Sequence, residues 1–315
     1  MKIAVLIPSY QSAKTIVATI RSIGAQTALN RLSGVYLADD CSTDNSISLV
    51  SVEWKYSIPL HVISSQMNMG ERGNVNNALA QLSGSVDWVL ILHSDDLAKT
   101  NWLEIMCSRI ERSQENVGSI CSSWDVLLPE GSAMPGEDNS QRGIELIVGE
   151  SGAVVGTLKR GCWWHISGCA IRLRAFESIG GFNPNMPQLG DWEWLLRCLA
   201  KGWAVEYIPK SLILYRQHEQ SISANSFAND RDVLESLAIV RQHLPLLSGP
   251  ELIRFHSLRL HFMARRLARA AISFRLDRCF RVVGNAWRVV KSLISCLVER
   301  RVPNDRRAVA GIFGR

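Results

Sequence analysis

Through the first hundred residues, short apolar runs alternate with stretches of helical spacing. Residues 3–7, 35–38, 60–63 and 88–92 are rich in Val, Ile and Leu, as strands buried on both faces are. Between them, residues 13–26, 44–54 and 72–82 carry helix-compatible spacing, with Thr43 or Asp44 suited to cap the second. This alternation predicts an α/β fold, a mostly parallel sheet with helices on both faces. Ligands of such sheets bind in the loops beyond strand C-termini. Three of those loops are polar: Pro8-Ser9-Tyr10, Asp39-Asp40-Cys41-Ser42 and His93-Ser94-Asp95-Asp96.

Residues 129–143 are loop-like, broken by Pro, Gly and Ser. From 163 to 223 the pattern runs strand, turn, helix (191–201), strand, and from about residue 227 it is helical throughout. A main domain over 1–225 and a helical extension over 226–315 follow. At 315 residues there is room for one sizeable core and an appendage, since single cores stop growing at about 250–300 residues.

Charge separates the same two parts. Residues 251–315 hold 15 Lys/Arg against 4 Asp/Glu, and residues 1–250 hold 20 against 25. Within the basic part, Phe280, Val283, Trp287, Val290, Ile294 and Leu297 fall at alternating spacings of 3 and 4, one apolar stripe on a helix. Arg278, Arg281, Arg288 and Lys291 flank it. Two readings stand: the stripe packs on the main domain or a second subunit, or it lies on an anionic membrane surface.

Composition narrows the classes further. A 47% hydrophobic and 20% charged chain is not broadly disordered. The opening MKIAVLIPSY has too short an apolar run for a signal peptide, and no run of about 18 apolar residues supports a membrane span. The eight cysteines form no C-x-x-C pair and read as reduced thiols of a cytoplasmic enzyme.

Several residues can carry chemistry. Adjacent carboxylates at Asp95 and Asp96, beyond a buried strand, are costly unless a cation compensates them. A divalent ion on a diphosphate would do so, Mg²⁺ or Mn²⁺ taking oxygen ligands; a solvated helix-capping loop is the alternative. Asp40 can accept the imide N–H of a uracil or thymine while Tyr10 offers a stacking surface, or Asp39-Asp40 can form an Asx-turn. Asp191 is either a helix cap or a general base. His218 alone signifies little.

Order and spacing together resemble a known family. IAVLIPSYQ, LADDCSTDNS, NMGERGNVNNAL, LILHSDD, GGFNPNMPQLGDWEWLLRCLAKGW and YRQHEQSIS succeed one another as in the family 2 inverting glycosyltransferases of GT-A (Rossmann-like) fold, over roughly residues 1–225. The resemblance implies transfer of a sugar from a UDP- or dTDP-type donor to an acceptor hydroxyl, in bacterial surface polysaccharide or glycolipid synthesis. It implies that Tyr10 and Asp40 lie by the nucleobase, and Asp95 and Asp96 in the "DXD" region touching ribose and metal. Asp191 would be the base of the "xED" element and His218 a metal ligand beside Asp96. Pro8, Asn68, Gly70, Arg72 and Gly168 fall in segments on the donor side. The acceptor would be a saccharide or a lipid-linked sugar, and the protein cytoplasmic or peripheral on the inner membrane face, with a homo-oligomer left open.

Two positions depart from the family. His93 stands where many members have the first acid of an Asp-x-Asp-Asp string, and Gly190 replaces the usual Glu before the catalytic Asp. Two other functions fit the sequence less well. A sugar nucleotidyltransferase would need a Gly-rich, Lys/Arg-bearing N-terminal loop, which Pro8-Ser9-Tyr10-Gln11 is not. A polyanion-binding protein would use the basic tail, but aromatic residues are not interleaved for nucleic-acid stacking, and no nucleic-acid partner is expected.

Overall fold

In the computed structural model, which describes residues 1–136, 143–217 and 228–301, the first apolar run becomes strand β1 (Ile3–Ser9), buried along its whole length. It pairs in parallel with β2 (Gly34–Asp39) on one side and β4 (Trp88–Ile91) on the other. β3 (Leu60–Ser64) adds in parallel to β2. Pro8 lies beyond Leu6↔Ile91, the last register pair with β4, so its missing N–H leaves no ladder bond unmade. Residues 60–63 are not the buried strand that their composition predicts. As the edge of the sheet, β3 leaves His61 and Val62 exposed.

The helices between these strands stand close to their expected places: α1 (Ile16–Gly24), α2 (Ser46–Glu53) and α3 (Gly70–Leu82). The cap of α2 differs from expectation. Asn45 occupies the cap position without a side-chain bond, and Asp44 instead accepts the amides of Ser46 and Ala13, both at 3.0 Å. It thereby ties two loops together.

Beyond β4, the elements β5 (Leu97–Ala98), α4 (Trp102–Arg112), β6 (Val117–Leu127), β7 (Ala133–Met134), β8 (Glu145–Ile147) and α5 (Ser151–Arg160) add to those expected. They are followed by β9 (Ala170–Arg172), α6 (Leu173–Ile179), α7 (Gly190–Ala200) and β10 (Ala204–Arg216). The strand order is β3-β2-β1-β4-β9-β6-β10-β5, with β7 on β6 and β8 on β10. The long strands run parallel within β3-β2-β1-β4 and within β6-β10, and short antiparallel β9 joins the two blocks.

Alternation along β1 sends Ile3, Val5 and Ile7 into a core shared with Ile16, Ile20 and Ile23 of α1, Val50 of α2 and Trp102, Met106 and Ile110 of α4. The buried side chains of α3 (Val75, Ala78, Leu79) lie outside that cluster, and α3 meets β1 and β2, so helices cover both faces.

The chain divides into two compact units, Met1–Asn225 and Ser226–Arg315. The second contains α8 (Arg231–Gln242), α9 (Gly249–Ile272) and α10 (Leu276–Arg301). Ser248 and Glu251 form a capping box at the start of α9. Val233, Met263, Val282 and Val289 make its core. Within this unit the predicted stripe is not the face that packs: Phe280, Val283, Trp287 and Ile294 are exposed and Val290 and Leu297 partly buried, while Val282, Val289 and Cys296 on the adjoining arc are buried. Among the described residues no helix is long and apolar enough to cross a membrane, and all eight cysteines are free thiols.

Candidate active site

The C-terminal ends of β1, β2 and β4 bring the three polar loops together, and side chains lace the first two. Gln11 donates its amide to Ser42 Oγ (3.0 Å) and its Nε2 to Thr43 Oγ1 (2.8 Å). Gln11 and Cys41 both hold left-handed backbone, φ 49° and 64°, a strained conformation for residues with side chains. Asp39 Oδ2 accepts the Ser42 amide at 2.9 Å, a bond three residues on that closes the loop in place of the two-residue Asx-turn. Asp40 does something else. It is buried, and its Oδ1 accepts the Met69 amide at 2.8 Å while its carbonyl takes Asn68 Nδ2 at 3.3 Å. Asn68 Oδ1 in turn accepts the Gly70 amide at 3.1 Å, where φ is +72° and a glycine fits without strain. Burial raises the Asp40 pKa against the opposing pull of the Met69 and Gly70 amides. Tyr10 is half exposed at the rim.

The start of α3 supplies an ionic chain. Glu71 Oε1 lies 3.1 Å from Arg72 Nη1 and 3.1 Å from His93 Nε2. Arg72 is buried, its guanidinium 5.6 Å from the Phe182 ring centre and its Nη2 3.7 Å from Asp191 Oδ1. Burial alone would push Glu71 up, but Arg72 and His93 outweigh it and hold Glu71 at about 2. Burial would likewise lower His93, yet Glu71, then Asp96 and Asp95, raise it to about 9. The two departures from the family are thus accounted for by neighbours. His93 meets Glu71, and a Cβ at Gly190 would stand only 3.1 Å from Arg72 Nε, so glycine leaves room for the guanidinium.

Asp191 is the second residue of α7, in its first turn, while Leu189 holds the cap position. The expected cap is not realised, while the first-turn position suits a partner of the helix dipole. Its Oδ1 accepts the Trp192 amide at 2.9 Å and faces Arg72.

The third loop gathers His93, Asp95 and Asp96, each offering a ligand atom within 4.8 Å of the others. The loop is fixed from outside. Thr19 Oγ1 donates to the carbonyls of Ser94 and Asp96, both at 2.9 Å, and Ser167 Oγ accepts the His93 amide at 3.0 Å. Arg216 donates its amide to Asp96 Oδ1 (2.9 Å) and its Nε to the Asp95 carbonyl (2.8 Å). Asp96 is fully buried; burial and then Asp95 raise its pKa to about 7, against His93. Its Oδ2 is buried without a well-formed hydrogen bond, although the Ser167 hydroxyl is near. A carboxylate so placed is costly as an anion, and a divalent cation is the compensation that a two-carboxylate, one-imidazole set fits. His218 lies outside the described residues.

Gly168 (φ +89°) donates its amide to the Ile91 carbonyl (2.6 Å) and accepts Trp102 Nε1 (3.1 Å). A Cβ there would fall 2.4 Å from Ile213 Cγ1, so its role begins with packing. Sequence reasoning missed the wall beside His93. His165 lies 6.2 Å from His93, 5.0 Å from Trp124 and 5.0 Å from Tyr215, centroid to centroid. Its Nδ1 meets the Ser167 carbonyl at 3.1 Å, and burial lowers its pKa. These residues come from a loop and two strands separated by tens of residues, and no local spacing signals their meeting.

Comparison with known proteins bears on the family and the fold. Residues 4–127 match the profile "Glycosyl transferase family 2". A glycosyltransferase of Nostoc sp., itself uncharacterized, is 24% identical over 76% of this chain and 72% of its own length. The poly(ribitol-phosphate) beta-N-acetylglucosaminyltransferase TarS of Staphylococcus aureus is 30% identical over 37% of this chain and 20% of its own. The structure of TarS 1-349 in complex with UDP-GlcNAc superposes with a TM-score of 0.64 at 17% identity, covering 92% of this chain and 82% of that one. Residues 4–127 belong to glycosyltransferase family 2, and the mixed sheet followed by a helical region has the GT-A fold of TarS. Its relatives include TarS and TuaG of Bacillus subtilis, the latter assigned to teichuronic acid biosynthesis and 26% identical over 71% of this chain.

Proposed function

We propose that the chain transfers a sugar from a nucleotide-diphosphate donor to an acceptor hydroxyl, with inversion, during synthesis of a bacterial surface polysaccharide or glycolipid. The observation that carries this reading is one ionic chain, Asp191–Arg72–Glu71–His93, that links the first turn of α7 through the start of α3 to the loop after β4, beside the Asp95-Asp96 pair. If Asp191 is the base of the "xED" element, it shares one charged network with the carboxylates.

Asp95, Asp96 and His93 would hold a divalent ion, Mg²⁺ or Mn²⁺, which when bound supplies positive charge for the diphosphate leaving group. His93 can ligate only as a neutral imidazole, so binding competes with its protonated pairing to Glu71. Asp40, Asn68 and Gly70 shape the nucleobase end, with Tyr10 at the rim and Pro8 ending the strand beneath. Gly168 lets the backbone under the third loop run close to β10.

Asp191 accepts the acceptor's proton. Its Oδ1 is committed to Trp192 N–H and turned to Arg72, which leaves Oδ2 as the basic atom. Arg72 fixes the carboxylate's orientation, and attack on the face opposite the leaving diphosphate inverts the anomeric centre. The UDP-GlcNAc of the TarS complex makes UDP-sugars the first donors to try.

The test is a screen of UDP- and dTDP-sugars for nucleoside diphosphate release with Mg²⁺, Mn²⁺ or chelator. Metal-dependent hydrolysis of a donor is the expected result. Metal-independent turnover, or no binding of any nucleoside diphosphate with either ion, overturns the reading.

A further inference from the structure

The helical unit turns a second apolar arc outward. Val282, Val289 and Cys296 of α10 are buried, so the unit's own packing is satisfied without the stripe beginning at Phe280. The exposed arc is densest at the turn between α9 and α10. Ile272, Phe274, Leu276 and Phe280 are 78, 91, 70 and 78% exposed. The turn is built to hold them out. Phe274 takes a left-handed backbone (φ 51°), its amide bonding the Ala271 carbonyl at 3.0 Å while the Arg275 amide takes that of Ala270 at 2.9 Å, a helix stop ordinarily made with glycine. Farther along α10 the exposed Trp287 carries Lys291 5.8 Å from its ring.

Cations surround this tip. Arg265 and Arg269 are exposed and form no ion pair among the described residues. With Phe262 and Arg266 they line an open cleft of about 180 Å³. Arg275 and Arg278 adjoin it in the chain, and the acid beside them, Asp277, stands 3.8 Å from Arg275.

We propose that the α9–α10 tip docks on an anionic phospholipid surface. Ile272, Phe274, Leu276 and Phe280 enter the interface, and the Arg265–Arg269 cleft takes a lipid phosphate. Apolar side chains ringed by guanidinium groups are what an interface with apolar tails and anionic headgroups rewards. A second copy of the chain fits worse, because a two-fold contact would set this basic ring against itself. The docking does not depend on which sugar is transferred, and its test uses no turnover.

Full-length protein is sedimented with phosphatidylcholine vesicles and with vesicles of phosphatidylcholine and phosphatidylglycerol in equal parts, at low and high salt. Pelleting with the anionic vesicles alone, weakened by salt, is expected. Phe274→Ser with Phe280→Ser, and separately Arg265→Gln with Arg269→Gln, each lowers partitioning about tenfold or more; circular dichroism confirms that these surface variants fold. Equal pelleting with both vesicle types, no pelleting, or variants that bind like wild type overturns the proposal. So does a dimer, seen by light scattering, that the Phe274→Ser and Phe280→Ser pair abolishes in a protein that ignores vesicles.

Discussion

Arg72 Nη2 stands 3.7 Å from Asp191 Oδ1, with both side chains largely closed from solvent, 6% and 13% exposed. The same guanidinium meets Glu71 at 3.1 Å through its other terminal nitrogen. One cation therefore serves a carboxylate proposed to accept a proton and another that holds His93.

Asp191→Asn keeps the size of the side chain and removes its basicity. Turnover is expected to fall by about 10²–10⁴, with donor affinity by calorimetry close to wild type. A rate within threefold of wild type would refute the assignment of the base.

Asp96→Ala removes the buried carboxylate whose Oδ2 lacks a well-formed hydrogen bond. Binding of UDP should weaken and lose its enhancement by Mn²⁺ or Mg²⁺. An unchanged metal enhancement in the titration would take Asp96 out of the ligand set.

Arg72→Met should destabilise the main unit by about 3 kcal/mol, the cost of removing one member of a buried ion pair. Glu71 and Asp191 would be left without the charge between them. Urea unfolding reads the change, and a loss under about 1 kcal/mol would mean that solvent or His93 already balances these carboxylates. Arg72→Lys should recover part of the stability but less of the activity, because one ammonium cannot address both carboxylates as a fork does.

His256 is wholly buried in the helical unit. Its Nδ1 faces the Leu252 carbonyl at 2.8 Å and its Nε2 the Ser292 hydroxyl at 3.1 Å, partners that suit a neutral ring with the proton on Nδ1. Burial lowers its pKa, opposed by the Leu252 carbonyl and aided by Arg259. The folded value lies below the unfolded one of about 6.5, so this stability is present above pH 6.5 and is lost as pH falls through the folded value. The melting temperature should therefore drop between pH 7.5 and 5, and His256→Gln should flatten that part of the profile. An equal slope in the variant would assign the acid sensitivity to other groups.

Much of this was legible in the chain. Apolar runs at 3–7, 35–38 and 88–92 become β1, β2 and β4, because strands buried on both faces leave a compositional trace. Residues 60–63 carry the same trace yet form an edge, since which strand ends a sheet depends on partners elsewhere in the chain. Periodicity found an apolar arc on α10 but not its orientation, because two such arcs adjoin on that helix and only α8 and α9 choose between them. Asp95 and Asp96 stand out as neighbours in sequence. Their companions do not: Glu71 reaches His93 from the start of α3, and Arg72 reaches Asp191 across more than a hundred residues.

Strand β9 has a consequence for how the chain is made. Its three residues pair with β4 through Leu90↔Ala170 and with β6 through Ile120↔Ala170. Arg172 spans the same seam, its guanidinium 4.6 Å from the Trp88 ring centre and its Nε 2.7 Å from the Val117 carbonyl. A ribosome that has released residue 127 has delivered β4 and β6, but not the strand that joins them. Until residue 172 emerges, β4 and β6 each present an open sheet edge, and such edges recruit other chains. The nascent protein thus passes through an interval of exposure whose length is set by translation of the 45 residues from 128 to 172, and synonymous slowing within that stretch would prolong it.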